Sequence, residues 1–193
     1  ADYSINEHLM INGEINYDQH LHEGNNEQEY ESLTKRVKEN DFDDNYDFEG
    51  FLDINQTYDN PDQEFNISIS YDIEKDNEYE NLLDEDGNDF SLFSTDDTTT
   101  LYQDMKTVDV DVSYKHPFNE KSKIELGYDA RINDNMETMN FKDGDFRGNN
   151  TFGYKRSIHG FYFEFDHKIN ERFSIKPSIR YEYVNKNISF KPG

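Results

Sequence analysis

Cysteine is absent from the 193 residues. That removes disulfides, thiolate metal sites and cysteine nucleophiles, and leaves the redox compartment open. No apolar run approaches the roughly 20 residues a membrane-spanning helix needs. Cations are scarce: 19 Lys and Arg stand against 43 Asp and Glu, a formal charge of −24. Nucleic-acid binding needs a basic footprint, so the charge argues against that partner. The opening residues ADYSINEHLM have neither a basic region nor an apolar core and do not read as a signal peptide. Apolar residues are only 33% of the chain and mean hydropathy is −1.11. Alone, such values lean towards disorder.

What is present points the other way. Phe and Tyr make up 15% of the chain, whereas disordered segments are usually poor in aromatics. The apolar residues are also patterned. In residues 159–184, His159, Phe161, Phe163, Phe165 and His167 fall on one face, and Gly160, Tyr162, Glu164 and Asp166 on the other. A polar turn at 168–172 follows. Ile175, Pro177, Ile179, Tyr181 and Tyr183 then alternate with Ser174, Lys176, Ser178, Arg180 and Glu182. A period of two marks a strand with two unlike faces. The pattern recurs in 9–18, 46–58, 64–74, 101–114 and 124–132, most cleanly where Phe65, Ile67, Ile69, Tyr71 and Ile73 oppose Asn66, Ser68, Ser70 and Asp72. In 101–114 the early part puts Asp104 and Lys106 on the apolar side, which places that part above a membrane.

Seven strands result, and their connections alternate in length. Those at 59–63, 115–123 and 168–172 are short; those at 20–45, 75–100 and 133–150 are long, charged and aperiodic, and residues 2–8 read as a polar turn. Short periplasmic turns and long extracellular loops belong to outer-membrane barrels. Tyr58 and Tyr114 sit beside short turns, and Tyr17, Tyr46 and Tyr102 beside long ones, as aromatic girdles at two interfaces would. The expected fold is therefore all-β: a segment of an antiparallel up-and-down transmembrane barrel, partial over residues 1–193, in the outer membrane. A soluble β-domain that binds glycans is the alternative; it requires the aromatic faces to pack against each other.

No catalytic constellation stands out, and the reading is of a non-enzymatic chain without cofactor or metal site. Asp109, Asp111, Glu125, Asp129, Arg131, Glu164, Asp166, Arg180 and Glu182 read as a solvated, cross-paired wall. Asp84, Glu85, Asp86, Gly87, Asn88 and Asp89 resemble the start of a calcium loop but lack its later bidentate Glu, which favours an acidic hairpin tip. His20 and His22 share a face and suit a transition metal; without a third defined ligand they read as solvated. Lys142, Asp143, Gly144 and Asp145, with Arg147, Gly148, Asn149 and Asn150, read as turn chemistry, because no helix follows to make a phosphate cradle.

Two segments carry a family likeness. YKHPFNEKSKIELGYDARI (114–132) and YFEFDHKINERFSIKPSIRYEY (162–183) resemble the barrel of TonB-dependent outer-membrane receptors, above all the outer-membrane β-barrel group common in Bacteroidetes. The resemblance implies a many-stranded barrel around an N-terminal plug, importing a scarce extracellular ligand with energy passed on by TonB. Its implied partners are outer-membrane lipid, the rest of the barrel and plug, TonB through that plug, and the ligand. No plug or TonB-box segment is seen, and the chain closes on Lys191-Pro192-Gly193 rather than an aromatic residue. An internal segment of a larger barrel is therefore expected. A separate, non-transporting or accessory barrel subunit is the second reading. Pro177 departs from the likeness by removing a ladder donor mid-strand, so a bulge or weak pairing is expected there.

Overall fold

The computed structural model describes residues 2–30, 35–83, 97–143 and 146–193. They form one antiparallel sheet. Its strands are β1 (Asp2–Asn6), β2 (Leu9–Tyr30), β3 (Lys35–Thr57), β4 (Glu64–Leu83), β5 (Asp97–Asn119), β6 (Ser122–Asp143), β7 (Phe146–Asn170), β8 (Phe173–Ile175) and β9 (Ser178–Pro192). From β1 to β7 each strand pairs with the next in sequence, and β8 and β9 both pair with β7 as two pieces of one strand. The break between them falls at Lys176 and Pro177, where the proline has no N–H to give. Its carbonyl still accepts from the Phe165 N–H at 3.0 Å. The weak pairing expected at Pro177 is thus a two-residue interruption.

The sheet has eight adjacent strands rather than seven, because residues 2–6, expected as a turn, pair with Leu9–Asn12. A second difference concerns the long connections. Residues 20–30 and 35–45 continue the β2–β3 ladder, residues 75–83 pair into the β3–β4 and β4–β5 ladders, and 133–143 pair with 146–156. The sequences of these stretches are rich in polar residues and lack the apolar–polar alternation by which a strand is recognised. Lateral hydrogen bonds extend the hairpins regardless of which side chains line them. The acidic run Asp84–Asp89 lies outside the described residues, as do Gly144 and Asp145.

Register gathers the apolar residues into one band. Ile11, Ile54, Ile67, Val112, Tyr128, Phe161 and Tyr181 form one row across the sheet; Gly13, Leu52, Ile69, Val110, Ala130, His159 and Tyr183 form the next. The band crosses the rows obliquely. It includes Tyr17, Phe48 and Ile73 on β2–β4, but the same row on β5, β6, β7 and β9 reads Lys106, Asp134, Lys155 and Asn187. A level band cut obliquely by the rows means strands tilted to it, which barrel geometry requires.

Contacts among the described residues occur only between strands adjacent in the sheet. Among the described residues no second layer covers either face, and Ala130, at 6% exposure, is the one buried hydrophobic side chain, while Ile15 is 74% and Ile179 68% exposed. The soluble alternative needs aromatic faces packed on each other, and this single layer does not provide that.

Two glycines on the polar face let large side chains lie flat on the sheet. The Tyr162 ring lies across its register partner Gly127, where a Cβ would overlap the ring. Its hydroxyl donates to Glu125 at 3.2 Å. Over Gly160 run the side chains of Arg180 and Asp129, from the strands on either side. Gly127→Ala displaces the Tyr162 ring, and we expect it to lower the unfolding free energy by about 1–3 kcal/mol, the usual cost of overpacking. Urea unfolding of the protein in lipid vesicles, followed through tyrosine fluorescence, checks this.

Candidate functional site: the polar face of the sheet

The two faces differ in what they can meet. On the apolar face the polar atoms inside the band pair with each other: Tyr128 Oη and His159 Nδ1 are 2.9 Å apart. Just beyond the band the same face turns ionic. Lys75 and Lys106 reach Asp104 at 3.6 and 3.2 Å, and Lys155 pairs with Asp134. Asp104 and Lys106 therefore lie above the band, as the sequence suggests. The Tyr46 hydroxyl, followed by Asp104, raises the Lys75 ammonium above its ordinary value.

The polar face is a wall of cross-strand pairs. Arg131 grips Asp109 with two nitrogens, at 2.6 and 3.2 Å. Arg180 reaches Asp129 at 2.8 Å and Glu182 at 2.7 Å. Lys176 meets Glu164 at 2.6 Å. These strands bring together most of the residues expected to form a cross-paired wall. Their side chains are largely solvated, so such surface pairs add little to stability. They serve a wet surface better than a core. Near the short turns, Asn66 and then Lys115, 3.2 Å away, hold the Glu64 carboxyl below the usual range.

Towards the long hairpins the wall turns acidic. Asp47 and Glu74 are register partners, and Asp72, Asp76 and Asp43 share their face. Partial burial, then the charges of Asp76, Asp47 and Asp72, raises the Glu74 carboxyl; partial burial, then Asp47 and Asp43, raises that of Asp76. This mouth repels anions and attracts cations. Sequence reading missed it because residues 75–83 and 41–45 look like loop, and only register places them on one face.

His20 and His22 stand on that same face, with ring centroids 6.4 Å apart and planes within 6°. His22 Nε2 lies 3.6 Å from Asp41 Oδ2, a partner 19 residues away that spacing alone does not suggest. Among the described residues no group of three or more His, Asp or Glu side chains is placed so that it could hold a metal ion.

An oblique apolar band, aromatic residues at both rims, an opposite face of solvated ion pairs and hairpins long at one end only define an outer-membrane β-barrel protein. Residues 56–192 match the family model described as the outer membrane protein beta-barrel family, and the chain belongs to that family. Its place is the outer membrane. Comparison with curated proteins gives no match.

The apolar face then meets lipid, which yields two expected outcomes. Ile69→Arg, at the middle of the band, should cost about 2–4 kcal/mol in vesicle unfolding, whereas Ser68→Arg on the polar face should cost well under half of that. The raised carboxyls at the mouth give a pH effect of definite sign. A folded-state pKa above the unfolded one favours the fold when the group is protonated, and that contribution fades as pH rises through the raised value. The double variant Glu74→Gln, Asp76→Asn should therefore melt higher than the wild type at neutral pH. The gap should close as pH falls towards about 4, as read by thermal scans in detergent.

Proposed function

We propose that this chain is part of the barrel of a TonB-dependent outer-membrane receptor, importing a scarce extracellular ligand. The observation that carries the reading is the pair of open edges. β2 has no neighbour on its outer side beyond Asn12, and β9 presents fifteen exposed residues with β7 as its only partner among the described residues. Unpaired backbone groups are not tolerated in hydrocarbon. Both edges therefore call for further strands, and a barrel of many more strands has a lumen wide enough for a plug. The solvated ion-paired wall suits a surface that faces such a plug across water. The 114–132 and 162–183 hairpins support the same reading through their likeness to receptor barrels. Ligand selection then belongs to the acidic mouth and the plug.

The test is the intact mass of the polypeptide extracted in detergent from its native membrane, followed by crosslinking to the periplasmic domain of TonB. A mass several-fold above 23.0 kDa and a TonB crosslink are expected. A mass near 23.0 kDa, or a larger protein without any TonB crosslink, would overturn the receptor reading. The first result favours a separate barrel subunit whose edges pair with a partner.

A further inference from the structure

On β7 and β9 the alternation does not stop at the rim of the apolar band; it changes sides. Within the band the lipid-facing positions are Phe161, His159, Tyr181 and Tyr183. Beyond the rim that side carries Ser157, Lys155, Gly153, Asn185, Asn187 and Ser189. The apolar residues move to the polar face, where Ile158 pairs with Val184, Tyr154 with Ile188 and Phe152 with Phe190. Lipid on the outer side accounts for the first pattern and not for the second, which faces the lumen. Val184, Ile188 and Phe190 are exposed, Phe190 by 63%. A further strand beside β9 would extend the sheet sideways and leave these side chains uncovered from above. From Ile158 to Phe152 the block climbs about 20 Å along the strand, past the ion-paired wall and towards the entrance.

One row of this block is cationic. Arg156 and Lys186 are register partners, and like charges directly opposite each other destabilise a ladder. Among the described residues no carboxylate pairs with either, and the Lys186 ammonium stands over the Tyr154 ring, 5.2 Å from its centroid. On the same face Glu137 of β6 lies two rows above them, and Glu182 two rows below, where Arg180 holds it. The acidic side of the mouth, with Asp47, Glu74 and Asp76, belongs to β3 and β4. β4 is three strand spacings from β7, about 14 Å, whereas physiological salt screens charge over about 8 Å. The mouth therefore has two sides, one acidic and one apolar with two unneutralised cations. Arg156 and Ile158 also line a cavity of about 440 Å³ that extends over Ser70 and Asp109, a volume suited to a small molecule.

We propose that the β7–β9 side of the mouth binds small organic anions. An apolar, ring-bearing body lies on Phe152, Tyr154, Ile188 and Phe190, and its acid group meets Arg156 and Lys186. The acid group relieves the repulsion between the two cations, and the aromatic and aliphatic side chains cover the body. Eight side chains on two strands are far fewer than the about 20–30 residues a side of a stable protein interface, so the block fits a small ligand. The proposal gives a ligand class to the receptor reading, but it rests only on the polar face lining a lumen and not on energy from TonB.

The test uses the full protein extracted from its native membrane, placed in lipid nanodiscs and titrated by calorimetry. The probes are naphthoate, neutral naphthylmethanol and cationic naphthylmethylammonium, with empty nanodiscs as the partition background. Naphthoate is expected to saturate a site, the neutral probe to bind at least about tenfold more weakly, and the cation more weakly still. The double variant Arg156→Gln, Lys186→Gln should bring naphthoate down to the level of the neutral probe. The double variant Ile188→Ser, Phe190→Ser should weaken both and keep the preference for the anion. Glu74→Gln with Asp76→Asn, on the other side of the mouth, should leave naphthoate affinity within about twofold. Strand content by circular dichroism verifies that each variant is folded. No saturable binding above the empty nanodiscs would overturn the proposal and leave the block as a seat for another part of the barrel. Equal affinity for the three probes, or unchanged naphthoate binding without Arg156 and Lys186, would overturn it as well. Crosslinking to TonB is read separately, so failure of the receptor reading leaves this result standing.

Discussion

Hydrocarbon offers backbone amides no water, so each N–H and C=O within the membrane must find a partner on a neighbouring strand. The long antiparallel ladders of β2 to β7 satisfy that demand laterally, and a single layer without a core becomes possible because lipid does the covering. Pro177 shows how local a lapse can be: one missing donor splits β8 from β9, yet the Pro177 carbonyl is still used by Phe165.

Lateral pairing also divides the labour of the side chains. Because residues alternate, one face can be apolar throughout the band while the other carries Arg131–Asp109 and Arg180–Asp129 pairs in water. Large groups on the polar face need room against the sheet, and Gly127 and Gly160 provide it. Beyond the band on β2 to β4 the faces no longer differ in polarity, and the hairpins become ladders with acidic residues on both sides. There the charge of the chain collects into a mouth whose Glu74 and Asp76 carboxyls are held partly protonation-prone by burial and by one another.

Within the band the strands were legible because lipid on one side and water on the other impose a period of two. Phe65, Ile67, Ile69, Tyr71 and Ile73 announce β4, and the short turns mark where the hairpins reverse. The stretches 20–30, 35–45, 75–83 and 133–143 carry no strand signal for the same reason: outside the lipid nothing imposes the period on them, while the hydrogen bonds continue. β1 is short and polar, and its pairing with Leu9–Asn12 left no mark in composition.

The candidate sites divide likewise. The likeness of wall residues such as Asp109, Arg131 and Arg180 to a cross-paired surface could be read from alternation, because face and charge are both properties of position along one strand. The approach of Asp41 to His22 could not, because it depends on the register of two strands. The sequence alone determined the class of fold, the lipid-facing residues and the outer-membrane setting, since these follow from periodicity and turn length. Only the tertiary structure decided which acidic residues share the mouth and which oxygen meets the histidine pair, because cross-strand neighbours are chosen by register, and register is a relation between segments that no single segment contains.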